Sequence, residues 1–171
     1  MEQAKFTQMK DGTKEDYLLL EKHEKKYVEG TADRLIKFMS GLSNTLEGYQ
    51  ITRLEHSLQT ATRAFNDKAT DEMVVAALLH DIGKIGIADD ILLKPDRLSS
   101  EEWASMQQYE RIGLEIISCT FNSSELFEII RTYRADYRSE STDSTLPTGT
   151  DILLTARLLK LSDAYDAMIT N

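Results

Sequence analysis

Residues 71–82 read DEMVVAALLHDI. From Met73 to Leu79 every side chain is apolar, so a helix formed here has no face fit for water. It is stable only at the centre of other elements, and it carries its polar ending, His80-Asp81, inward with it. The rest of the chain supplies the surroundings as helices. KEDYLLLEKHEKKYVE predicts a charged helix over roughly residues 14–29, and ADRLIKFMSGL a second, followed by a loop through Gly48. ITRLEHSLQTATRAF places Ile51, Leu54, Leu58, Ala61 and Phe65 on one stripe. Gly83 is read as a helix terminator. Ser99 and Glu102 form a capping box that opens a long helix to about Cys119. SSELFEIIRTYRADY and DILLTARLLKLSDAYDAM predict two more helices, separated by the turn-rich RSESTDSTLPTGT. No strand pair is evident, so the fold class is all-α.

The 171 residues fit one domain of ordinary size, and 41% hydrophobic content suffices for a core. A net charge of −9 argues against a nucleic-acid polymer or an anionic membrane as the main partner. No apolar run approaches a membrane span. The single Cys119 forms no internal disulfide, and the polar start MEQAKFTQMKDG has no signal-peptide core, so the expected location is cytoplasmic.

Three residues stand out as polar groups at the ends of apolar lines. His80 continues Met73, Ala76 and Ala77, and Asp81 continues Val74, Ala77 and Leu78. A buried carboxylate needs a cation or hydrogen-bond donors, which a metal ion or local hydrogen bonds would equally supply. Asp163 ends the line Ile152, Ala156, Leu159, with Asp166 one turn on, and a metal or an arginine would satisfy it. His56 shares its face with Thr52, Gln59 and Arg63, away from the apolar stripe, and spacing alone reads it as solvated. His23, among Glu21, Lys22, Glu24 and Lys25, reads as surface.

His56, His80-Asp81 and Asp163 together resemble the H…HD…D pattern of the HD-domain superfamily, helical metal-dependent enzymes that are mostly phosphohydrolases. HDIGKIGIADDILLKPDRLSSEEWASM and LLKLSDAYDAM resemble the HD-GYP cyclic di-GMP phosphodiesterases. Upstream, FTQMKDGTKEDYLLLEKHEKKY and GYQITRLEHSLQTATRAF are similar to oxygenase-related HD proteins, a branch that usually carries Asp where this chain has Lys84. The resemblance implies an HD-domain helical bundle at 51–171, apparently truncated at its C-terminus, behind an N-terminal helical extension at 1–50, the whole one compact domain. It implies metal ligation by His56, His80, Asp81 and Asp163, catalytic roles for Asp81 and Lys84, and an orienting role for Asp166.

The departures matter as much. Tyr133 and Arg134 stand where HD-GYP domains carry paired histidines, Ala135 where they carry a glutamate, and Tyr109 where they carry the histidine of H-P-x-x-G. With three histidines in the chain, neither the usual HD-GYP cluster nor the usual di-iron site of the oxygenase branch has its ligands. Two imidazoles and two carboxylates suit one divalent ion: Mn, Fe, Co, Ni, Zn or Mg. Lys84 would pair with a phosphate, or serve only as a cation at a helix end. Arg131 and Arg134 would meet an anionic substrate or face solvent. The expected function is hydrolysis of a small phosphoester or nucleotide. The alternatives are a non-catalytic HD binding or signalling module and a di-iron oxygenase. The oligomeric state is left open.

Overall fold

The computed structural model describes residues 3–43, 51–138 and 145–169. Among these there are helices and no strand, as the periodicity implies. The loop expected through Gly48 and most of RSESTDSTLPTGT lie outside the described residues. Contacts divide the chain between Phe38 and Met39 into two compact units. The sequence reading had set the boundary after residue 50, within one compact domain.

The first unit holds helix α1 (Lys14–Glu29), opened by a capping box between Thr13 and Asp16. Helix α2 (Thr31–Met39) follows after Gly30. His23 does not behave as a simple surface residue: its Nε2 is buried and has no hydrogen-bond partner.

In the second unit, α3 (Arg53–Asn66) starts at a capping box between Thr52 and Glu55, and Thr70 caps α4 (Asp71–Leu79). No residue of α4 from Met73 onward is exposed, and α4 packs on α3 and on two later helices at Ser124–Thr132 and Leu154–Ile169. The apolar segment is therefore the central helix that its composition demands. Beyond it come α5 (Asp89–Leu92), α6 (Ser100–Met106), α7 (Gln108–Thr120), α8 (Ser124–Thr132) and α9 (Leu154–Ile169).

Four details differ from the sequence reading. The stripe on α3 is turned: Leu58 and Phe65 are 48% and 65% exposed, while Ser57, Thr60 and Ala61 are buried. The small side chains allow α3 to lie close against α4, which offers Ala76 and Ala77. The long helix from Ser99 keeps its capping box but breaks at Gln107. There ψ rises to −17°, toward 3-10 geometry, and α7 turns onto the segment Ile82–Gly86. Helix α8 stops at Thr132, short of Tyr137, and α9 begins at Leu154 after a 3-10 turn at Gly149–Asp151. Finally, α4 ends before Gly83. Its last residue is Leu79, and Ile82–Gly86 forms a separate 3-10 turn. Gly83 is required for space instead: a Cβ there would lie 1.8 Å from the Tyr109 carbonyl oxygen and 2.6 Å from the Gly113 nitrogen.

Helix α9 is apolar on two sides. Ala156 and Leu159, with Ile152 just before the helix, are buried. On the other side Leu154, Leu158, Leu161, Tyr165 and Met168 are 49–70% exposed.

Candidate metal centre

The end of α4 sets the site. After Leu79 the chain leaves α-helical geometry, with His80 at φ −54°, ψ −30° and Asp81 at φ −102°, ψ 5°. Both side chains stay buried, at 3% and 5% residue exposure. His80 Nδ1 donates to the Ala77 carbonyl, 2.9 Å away. That bond fixes the ring and turns Nε2 into the interior. Nε2 is buried and has no hydrogen-bond partner. It lies 3.7 Å from Asp81 Oδ2 and 3.7 Å from Asp163 Oδ1, too far for a hydrogen bond to either.

Helices α3 and α9 bring the other groups. His56 Nε2 lies 3.2 Å from Asp163 Oδ1. The His56 and His80 rings meet nearly edge-on, with centroids 5.3 Å apart. His56 is thus not solvated; its side chain is 16% exposed, because the turn of α3 that buries Thr60 aims this face at α9. One ligand atom from each of His56, His80 and Asp163 lies within 4.8 Å of the others. Asp81 stands beside this group, with its carboxylate held by the Lys84 ammonium.

An orphaned imidazole nitrogen facing two carboxylates, with a second imidazole alongside, fits a divalent cation with mixed nitrogen and oxygen ligands. The electrostatics agree. Burial lowers the proton affinity of His80, but the charges of Asp81 and Asp163 outweigh it and hold its pKa above the ordinary value. Burial would raise the carboxyl of Asp81, yet His80 and Lys84 bring it below the usual range. Asp163 is likewise pulled well below that range, against its burial, by His56 and His80. The carboxylates are anionic and the imidazoles sit in a negative field, as a cation site requires.

Asp166 is 1% exposed, and its carboxylate meets side chains of α3. Arg63 donates to its Oδ1. The Thr60 hydroxyl lies 3.3 Å from its Oδ2 and 3.0 Å from the His56 carbonyl. Arg63 and Thr60 lie seven and four residues after His56. The shared face was legible in the spacing, but its burial was not.

Tyr109 and Tyr133 close another side. Both are buried, with hydroxyls 3.5 Å apart, and the Tyr133 ring meets His80 edge-on at 5.9 Å. Burial, then the charges of Asp81, Asp163 and Glu110, push the Tyr133 phenol far above its ordinary pKa, so it remains an O–H donor. The Lys84 ammonium and the Arg134 guanidinium each face the Tyr109 ring, at 5.5 and 5.6 Å. Arg134 Nε also lies 3.5 Å from Glu110, whose carboxyl is pushed up by partial burial. Arg131, by contrast, is engaged by Glu128 at 2.6 and 2.8 Å. Sequence reasoning had not singled out Glu110.

The model of the HD domain family matches residues 53–168. A cyclic di-GMP phosphodiesterase of Vibrio cholerae is 34% identical over 101 residues, covering 56% of this chain and 20% of that protein. A probable cyclic di-GMP phosphodiesterase of the same species is 30% identical over 161 residues, covering 80% of this chain and 36% of the relative. A hydroxymethylphosphonate dioxygenase of Gimesia maris is 30% identical over 90 residues, 53% of this chain and 42% of the relative. The chain spans less than half the length of each. Both branches suggested by the motifs are therefore represented among its relatives, and with residues 53–168 matched, the chain belongs to the HD domain family.

Proposed function

We propose that the chain is a metal-dependent phosphohydrolase that cleaves a small phosphoester or nucleotide with one divalent ion. The observation that carries this reading is the buried, unpartnered Nε2 of His80 in front of Asp163 and Asp81, with His56 beside it. His56, His80, Asp163 and Asp81 would hold the ion. When bound, such an ion acidifies a water and polarises a phosphoryl oxygen. Asp81 would help hold the ion and orient the attacking water, and Lys84, beside it, would balance the charge of the phosphate. Tyr133, kept protonated by its surroundings, offers a neutral donor on the same side. Asp166 fixes α9 against α3 and so keeps Asp163 in reach of His56. The phosphodiesterases among the relatives support hydrolysis of a nucleotide phosphoester, and a cytoplasmic signalling role accompanies it.

The test is metal content per chain after purification without added metal, followed by a phosphoester screen. The expected result is about one ion per chain, with content and hydrolysis both lost in His80→Ala. Hydrolysis that survives His80→Ala overturns the reading. A second reading, a binding module without turnover, is favoured by the tyrosine pair standing where the resemblance implies further histidine ligands. Metal-dependent hydrolysis excludes it. The oxygenase reading requires two irons, and one ion per chain rules it out.

A further inference from the structure

Helix α9 presents a face that nothing in the second unit covers. Leu154, Leu158, Leu161, Tyr165 and Met168 follow one another at intervals of four, three, four and three residues. They are 61%, 49%, 67%, 55% and 70% exposed. This is the a and d spacing of a two-helix seam. The core-facing Ala156, Leu159, Asp163 and Asp166 fall on the opposite side of the helix. A helix that is apolar on both sides is otherwise found buried on both.

We infer that this face pairs two copies of the chain about a two-fold axis, α9 against α9. Three observations favour a second copy over a partner of other chemistry. The spacing is self-complementary, so the same stripe serves both sides of an isologous contact. The positions flanking the seam hold Thr155, Arg157, Ser162 and Ala164. Arg157 is the only charge among them, and its guanidinium lies 5.9 Å from the Tyr137 ring. Copies that each carry a net charge of −9 can meet here because the acids of α9, Asp163 and Asp166, lie on the far side. A flank almost free of charge also offers nothing to select a charged peptide or an anionic surface. The third observation is size. Five large apolar side chains make a patch comparable with the largest on ordinary monomers, about 300–600 Å². Doubled by self-pairing, it reaches the lower edge of stable interfaces, about 1,200 Å² in total. The dimer is therefore reversible and concentration-dependent.

Leu161 is the middle residue of the stripe, so it meets its counterpart whether the helices run parallel or antiparallel. The experiment is light scattering coupled to size-exclusion chromatography over roughly a hundredfold range of concentration, which spans the shift from monomer to dimer for weak pairing. The wild-type mass should rise from one copy to two. Leu161→Glu should stay at one copy with an unchanged helical circular dichroism spectrum. Mixing Leu161→Glu with Leu161→Lys should restore the dimer, which a folding defect would not do. A wild-type monomer throughout, or a dimer indifferent to Leu161→Glu, overturns the inference. If the monomer instead sediments with lipid vesicles, the face belongs to a membrane surface and the inference equally fails.

Discussion

His80 is tied to a carbonyl through Nδ1, while Nε2 is buried without a partner. In the metal-free chain that environment has a pH signature. The folded state raises the pKa of His80 above 6.5. The folded state therefore binds this proton more tightly than the unfolded one. The resulting stability is fully present below pH 6.5 and is lost as pH rises through the higher folded value. Asp81 and Asp163 act in the opposite direction: their folded pKa values lie below 3.8, so their contribution is present above 3.8 and lost as pH falls through the lowered values. Urea unfolding of chelator-treated protein should give greatest stability between these limits and a decline above pH 6.5. A flat profile across neutrality would refute this account of His80. Metal affinity should run the other way, increasing with pH, because an ion and a proton compete for the same nitrogen. At this scale the sequence was informative where polarity ended an apolar line, as at His80, Asp81 and Asp163. Periodicity alone read His56 as solvated, although the H…HD…D resemblance named it a ligand; on the same face Arg63 meets Asp166 of α9.

At the scale of helices, the site is the meeting of α3, the end of α4 and α9, and Asp166 joins the outer two. Replacing it with Asn keeps the volume and removes the charge that holds Arg63. Metal affinity should fall by about 10–100-fold, the usual effect of losing a group that orients ligands, while the helical spectrum is retained. Unchanged affinity would reduce Asp166 to a structural residue. A pair of substitutions separates two kinds of small residue in the packing. Gly83→Ala drives a methyl into the backbone of α7 and should cost about 1–3 kcal/mol or more. Ser57→Ala removes a buried hydroxyl that has no hydrogen-bond partner and should be neutral or stabilising by up to about 1 kcal/mol. Denaturant midpoints of the two variants decide this, and equal losses would contradict the packing described. Helix existence was legible from apolar periodicity in α3 and α4 and from the capping box at Ser99, which opens α6. The break at Gln107 and the early ends of α4 and α8 were not. The break at Gln107 and the end of α4 accompany the approach of α7 to Ile82–Gly86, a contact between residues distant in sequence.

For the whole molecule, binding and stability are linked. An ion present at 100 times its Kd adds about 2.7 kcal/mol to the folded state. In a chain of this size that corresponds to a Tm rise of roughly 5–10 °C, seen by calorimetry in the unit from Met39 onward and absent in His80→Ala. A rise of equal size in His80→Ala would place the ion elsewhere. The all-α class was visible from composition and period, because an apolar central helix needs surrounding ones. The division between Phe38 and Met39 was not, since helical periodicity continues through it in α2. One contact reaches beyond any single variant. If every substitution were made at every position and the chains ranked by stability, residue 83 would favour glycine above every other residue. The reason would be the 1.8 Å between a Cβ and the Tyr109 carbonyl, not any part in chemistry. A position can thus be closed to change by the room it must leave, and intolerance at Gly83 would carry no information about the chemistry of the cluster beside it.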